Sequence, residues 1–95
     1  MNDRFREEVE NVLQMLDSKF DSHDFIKLYI ITFPSSYLDM LAKYHDAATT
    51  NSVIANYLLN HSNTLNISRE QDVISPSIFG YDVPNASWQK TNSNN

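Results

Sequence analysis

Ser22, His23 and Asp24 are consecutive in this 95-residue chain, and they are the residue types a hydrolase uses as nucleophile, general base and orienting acid. Consecutive residues cannot fill those roles from one helix, because neighbours there point about 100° apart. No glycine-framed nucleophile turn supports them either, since Gly80 is the only glycine. Helix capping explains the same residues better: Asp21 or Ser22 can accept from free N–H groups, and Asp24, three residues after Asp21, completes a capping box. His23, His45 and His61 are the next candidates, with Asp24 or Asp46 as oxygen ligands for a metal. No pair of them has the four-residue helix spacing of recognised sites, and each reads as a surface or helix-end histidine. A lone glycine excludes a Gly-rich phosphate loop, and the absence of cysteine excludes a thiolate nucleophile or a Cys-ligated metal. The chain is therefore expected to be non-catalytic, with no metal and no cofactor.

A different chemistry is offered by the segment between Ala47 and Ser68, which contains no Asp, Glu, Lys or Arg. Within it Val53, Ile54, Tyr57 and Leu58 have helical spacing, leaving Asn51, Ser52, Asn56 and Asn60 on the other side. An uncharged polar helix face is cheaper to desolvate than one carrying Lys and Glu, which suits contact with another protein. Asn can also hydrogen-bond adenine through two contacts. With Tyr81 added from the expected turn beyond Gly80, these residues form the candidate interaction face: Asn51, Ser52, Asn56, Asn60 and Tyr81.

The elements that position this face follow from periodicity. Phe5, Val9, Val12, Leu13, Leu16 and Phe20 form one stripe, predicting a first helix that starts near Asn2 or Asp3 and places its Glu and Arg residues in solvent. A second helix begins at Asp21–Asp24 and carries Phe25, Ile26, Tyr29, Ile30 and Phe33. Pro34 lacks an N–H, so a third helix starts afresh there and runs to about Tyr44 with Tyr37, Leu38 and Leu41 on its apolar side. Thr49, Thr50 or Asn51 caps the fourth. Beyond it, Leu65, Ile67, Val73 and Ile74 read as short extended pieces, and Ile78-Phe79 is expected to pair with Ala86 to Lys90 as a hairpin that folds Trp88 onto the core. Tyr29, Tyr81 and Trp88 are the aromatics whose exposure would mark a binding patch.

Composition bounds the rest: 41% apolar and 12% aromatic residues suffice for one core, predicting a single domain over residues 1–90 and a disordered tail over 91–95. The formal charge of −5, from 12 acidic and 7 basic side chains, opposes non-specific binding to polyanions. A charged N-terminus and the lack of a long apolar run predict a cytoplasmic location, so the N-glycosylation patterns at Asn60, Asn66 and Asn85 are read as coincidental.

The expected fold class is mainly α (α+β), three to four helices with a small C-terminal β-hairpin. That order resembles a small winged-helix domain, with Ser52 to Asn60 at the position of the second helix of its helix-turn-helix and residues 78 to 90 as the wing. The resemblance implies a DNA-binding regulator whose base contacts come from Asn51, Ser52, Asn56 and Asn60, with Lys43, Asn56, Arg69 and Lys90 as the nucleic-acid contacts. Three scattered cations are few for a phosphate footprint. The sequence therefore favours a small protein-interaction or accessory regulatory module, with a protein partner or self-association, over the DNA-binding alternative.

Overall fold

The computed structural model describes residues 3–91; the tail beyond Thr91 and a helix cap at Asn2 lie outside them. Thr91 itself, which the sequence assigns to the disordered tail, donates its N–H to the Asn66 carbonyl at 2.9 Å. Among the described residues the chain forms an α+β arrangement: α1 (Asp3–Met15), β1 (Lys19–Asp21), α2 (Ser22–Thr32), α3 (Pro34–Tyr44), α4 (Ala47–Asn60), α5 (Ser62–Leu65), β2 (Ile67–Arg69), β3 (Val73–Pro76), β4 (Asp82–Asn85) and β5 (Ser87–Lys90). No described helix is long and apolar enough to cross a membrane.

Local chemistry sets the helix starts. Asp21, in extended conformation, closes the expected capping box: its carboxylate accepts from Asp24 N at 2.7 Å, and Asp24 returns an acceptor to Asp21 N at 3.1 Å. Pro34 begins α3 at a position where no N–H is needed. Asp46, rather than Thr49, Thr50 or Asn51, caps α4, so this helix starts earlier than expected. Hydrogen bonds from the N–H and hydroxyl of Thr49 hold the Asp46 carboxyl below its usual range. Thr50 resembles a cap in sequence but lies in the core, donating its hydroxyl back to the Asp46 carbonyl at 2.8 Å.

The first helix is shorter than its stripe. It stops at Met15, and Phe20 reaches the core from β1 instead. Two contacts from the other end of the chain hold this break open: Lys90 Nζ donates to the Leu16 carbonyl at 2.6 Å and Lys90 N to the Ser18 carbonyl at 2.8 Å. Stripe periodicity cannot register such a partner.

The strands pair differently from the expected hairpin. β5 is the central strand of a three-stranded antiparallel sheet, order β1-β5-β2, with Phe20 and Arg69 both opposite Trp88. β3 and β4 form a separate two-stranded ribbon with Ser75 opposite Val83. Ile78-Phe79 is thus the connection within a hairpin and pairs with nothing in β5. Side chains alternate along the ribbon, Val73, Ser75, Val83 and Asn85 being part-buried while Ile74, Pro76, Asp82 and Pro84 face solvent. Pro76 and Pro84 have no N–H, and both occupy the ladder positions that alternate with Ser75–Val83 and Val73–Asn85. Each free edge of the ribbon therefore loses a donor, which discourages further strand addition.

Residues 77–81 join β3 to β4. Ser77 N donates to Tyr81 O at 2.9 Å and Gly80 N to Ser77 O at 3.0 Å, a type I turn closed by a left-handed residue. Gly80 supplies that residue at φ 89°, with nothing within 4 Å of where a Cβ would stand. Gly80→Ala is therefore strained by the backbone alone and is expected to cost about 1–2 kcal/mol in urea denaturation, with Gly80→Asn milder.

The core gathers Phe5, Val9 and Val12 of α1, Phe25 and Tyr29 of α2, Ile54 and Leu58 of α4, and Trp88. Phe5 meets Tyr57 edge-on with ring centroids 4.8 Å apart. Trp88 is 1% exposed and Tyr29 is fully buried, so of the three aromatics inspected for exposure only Tyr81, at 68%, lies open.

Candidate functional site

A groove of about 450 Å³ runs between α4 and the β3–β4 hairpin. Ala48, Ser52, Ala55, Asn56 and Leu59 line it from α4, Phe79, Tyr81 and Val83 from the hairpin, and Ser22, Ile26 and Trp88 from beneath. The register of the three-stranded sheet brings Arg69 there too, because it shares a sheet face with Trp88. Among the described residues no carboxylate lines the groove, and Arg69 is its only Lys or Arg. Its guanidinium bonds Asp72 at 2.6 Å, which offsets that charge.

The α2 N-terminus ties the hairpin to the body. Trp88 Nε1 donates to Ser22 Oγ at 3.1 Å, and His23 N donates to Asn85 Oδ1 at 2.9 Å. His23 Nδ1 lies 3.1 Å from the Ser75 carbonyl and 3.0 Å from Ser75 Oγ. With Nδ1 protonated it donates to the Ser75 carbonyl, and with Nδ1 bare it accepts from the Ser75 hydroxyl, so either tautomer is held on the hairpin. Ser22, His23 and Asp24 thus serve three different partners: an indole, Ser75 of the hairpin and a capping N–H. The other histidines sit elsewhere, His45 as the left-handed cap of α3 and His61 stacked on Tyr57 at 4.0 Å. No group of three potential His, Asp or Glu metal ligands gathers among the described residues.

Four of the five candidate face residues, Asn51, Ser52, Asn56 and Tyr81, line the groove; Asn60 is exposed at the end of α4 outside it. Asn51 is committed to packing, since its Oδ1 accepts from Tyr37 OH at 2.7 Å. The nucleic-acid candidates disperse. Asn56 and Arg69 line the groove, but Lys43 borders a depression beside α1 and α3, and Lys90 borders a third next to β2. Lys43 Nζ stands 5.4 Å from the Tyr44 ring centroid, and Lys90 is held by the Leu16 carbonyl. Sequence reasoning missed the apolar part of the groove, Ala48, Ala55, Leu59, Phe79 and Val83. The Ala48, Ala55 and Leu59 spacings of seven and four were a legible signal, whereas the hairpin's position over α4 was not.

A second polar cluster lies under the depression between α1 and α3. Glu8, expected in solvent, is only 8% exposed; its carboxylate accepts from Tyr29 OH at 2.8 Å, from Ser36 Oγ and from Arg4 Nε at 3.4 Å. Arg4 also reaches Ser36 Oγ at 2.9 Å. No buried side-chain polar atom is left without a partner among the described residues, so the cluster reads as a closed joint between three helices. The signal was present: Glu8 follows Phe5 by three and precedes Val12 by four, inside the apolar stripe.

Burial first, and the adjoining Glu8 carboxylate second, push the Tyr29 phenol well above its ordinary value; burial also raises Tyr37. For an acid that is raised on folding, stability is present below the unfolded value and lost as pH climbs past it. Above about pH 10 the unfolded chain ionises Tyr29 while the folded one does not, so stability should fall by about 1.4 kcal/mol per pH unit from this group. Urea titrations in alkaline buffers measure that slope, and Tyr29→Phe should remove its share.

Comparisons of the chain with protein-family models, with curated proteins and with solved structures find no match.

Proposed function

We propose that this chain is a small non-catalytic protein-interaction or accessory regulatory module that docks a polypeptide partner in the groove between α4 and the hairpin. The observation that carries this reading is the groove's lining: an apolar floor, neutral hydrogen-bonding groups and no carboxylate, on a protein of net charge −5. Interface cores are depleted of charge and rich in aromatics, and both features meet here. Burying the groove desolvates Asn and Ser side chains, which a partner's backbone can satisfy, without stranding an ion. Asn56→Glu introduces such an ion. It is expected to weaken a bound polypeptide at least tenfold by calorimetry while leaving thermal stability within about 0.5 kcal/mol, because Asn56 is exposed in the free protein. Unchanged affinity for both Asn56→Glu and Ser52→Glu counts against this face.

Exposed Ser52 and Asn56 beside Arg69 favour a second reading, a winged-helix-like DNA contact. It supplies base-reading amides but little phosphate anchoring, since Lys43, Arg69 and Lys90 border three different depressions. Under this reading duplex affinity falls as salt rises, and Lys43→Ala with Arg69→Ala flattens the slope; no binding at low salt removes it.

A further inference from the structure

The β3–β4 hairpin is fastened to the molecule at one end and tied down at a single residue. Its two strands leave the three-stranded sheet side by side: Glu70 N donates to Ser87 O at 2.9 Å, Ser87 Oγ donates to the Gln71 carbonyl, and Ala86 O accepts from Ser22 N at 2.9 Å. Beyond that base the ribbon shares no ladder with the sheet. Among the described residues, every hydrogen bond from residues 73–85 to the body ends on His23: its N–H donates to Asn85 Oδ1, and its Nδ1 meets the carbonyl and hydroxyl oxygens of Ser75. The receptacle is assembled within the ribbon, where Asn85 Nδ2 donates to Ser75 Oγ at 3.1 Å and to the Val73 carbonyl at 3.3 Å. We infer that the hairpin is a hinged lid on the groove, turning about its base at residues 70–72 and 86–87, with His23 as the latch that holds it shut over Trp88.

The packing beneath the ribbon is slight enough for such an opening. From Ser68 to Ser87 no residue is buried, whereas Ile67 and Trp88, on either side, are 4% and 1% exposed. Ile78 and Ala86 only rest against the core, and Ile74, Phe79 and Tyr81 stand mostly in solvent. A segment with few buried apolar contacts opens at a free energy well below that of the whole fold. Trp88, by contrast, belongs to β5, which β1, β2 and the Lys90 bonds hold in place, so it stays behind when the ribbon lifts. Opening therefore leaves the core assembled and widens access to the indole, Ser22 and Ile26 beneath the groove. The lid is a property of the groove's own wall and holds for any occupant. Its failure leaves the docking reading standing, which Asn56→Glu tests separately.

Trp88 is the only tryptophan, so acrylamide quenching of its fluorescence in the full chain reads the lid directly. His23→Ala and Asn85→Ala each remove part of the latch and are expected to raise the quenching constant about threefold or more, at a temperature where far-UV circular dichroism shows the helices intact. His23→Asn sets an amide nitrogen where the imidazole has Nδ1 and should keep quenching near the unaltered level. Asn60→Ala, at the exposed end of α4 outside the groove, should leave it unchanged. Because the chain has no cysteine, His23→Cys with Ser75→Cys supplies a unique pair of thiols across the latch. Reduced, this variant should quench like His23→Ala; bridged by a short bis-maleimide, it should return to the unaltered level. Unchanged quenching in both His23→Ala and Asn85→Ala overturns the inference, as does a bridge that does not lower it. A rise that appears only together with loss of helical ellipticity also overturns it, since the ribbon then comes away with the whole fold.

Discussion

Trp88→Ala is expected to remove about 4 kcal/mol of stability, a large share of the roughly 5–15 kcal/mol that holds a domain of this kind together. The indole is the largest fully buried side chain and sits on β5, the strand that pairs with both β1 and β2. Truncation leaves a cavity beneath the groove and strips Ser22 Oγ of the N–H that it accepts. The two costs fall on different scales, the cavity taking most and the lost hydrogen bond about 1 kcal/mol, which Ser22→Ala measures separately. Thermal unfolding followed by circular dichroism should move down by about 15 °C or more. A loss below about 1.5 kcal/mol would mean that the ring does not hold the sheet to the helices. In the unaltered protein this single tryptophan is also the natural fluorescent reporter of unfolding.

The second large effect comes from an acidic residue. Glu8→Ala is expected to cost about 3–5 kcal/mol, because it leaves the buried Tyr29 hydroxyl and Ser36 Oγ without their acceptor and Arg4 without its partner. Glu7→Ala and Glu10→Ala, by contrast, lie on the exposed side of the same helix and should fall within about 0.5 kcal/mol, even though Glu10 pairs with Arg6 at 3.0 Å. Equal effects at all three positions would refute a specific joint at Glu8. The pairing is testable further with Tyr29→Phe in a double-mutant cycle, where a coupling of about 1 kcal/mol or more is expected between residues that share a buried hydrogen bond. Glu8 therefore acts by locking α1 to α2 and α3, the framework on which α4 and its groove are mounted.

These expectations differ in how far the chain announced them. Trp88 was legible as a core residue, since an isolated large aromatic in a short strand has few alternatives to burial. Its strand partners were not. β1 and β2 belong to segments 46 or more residues apart, and Ile78-Phe79 looked as suitable a partner for Ala86 to Lys90 as either. Glu8 was half legible: its spacing put it within the apolar stripe, but its charge argued for solvent. The outcome depended on Tyr29 and Ser36, which arrive from two other helices.

The sequence by itself determined the α+β class, the capping box at Asp21 and Asp24, the fresh start at Pro34 and the uncharged face of α4, because each depends on residues within about one helical turn. Tertiary structure alone decided that α1 stops at Met15, that β5 takes the centre of a sheet, and that the hairpin stands over α4 to make a groove. Those outcomes depend on groups such as Lys90 and Leu16, 74 residues apart, meeting in space. Periodicity records which side of an element is buried, but it carries no information about which distant segment does the burying.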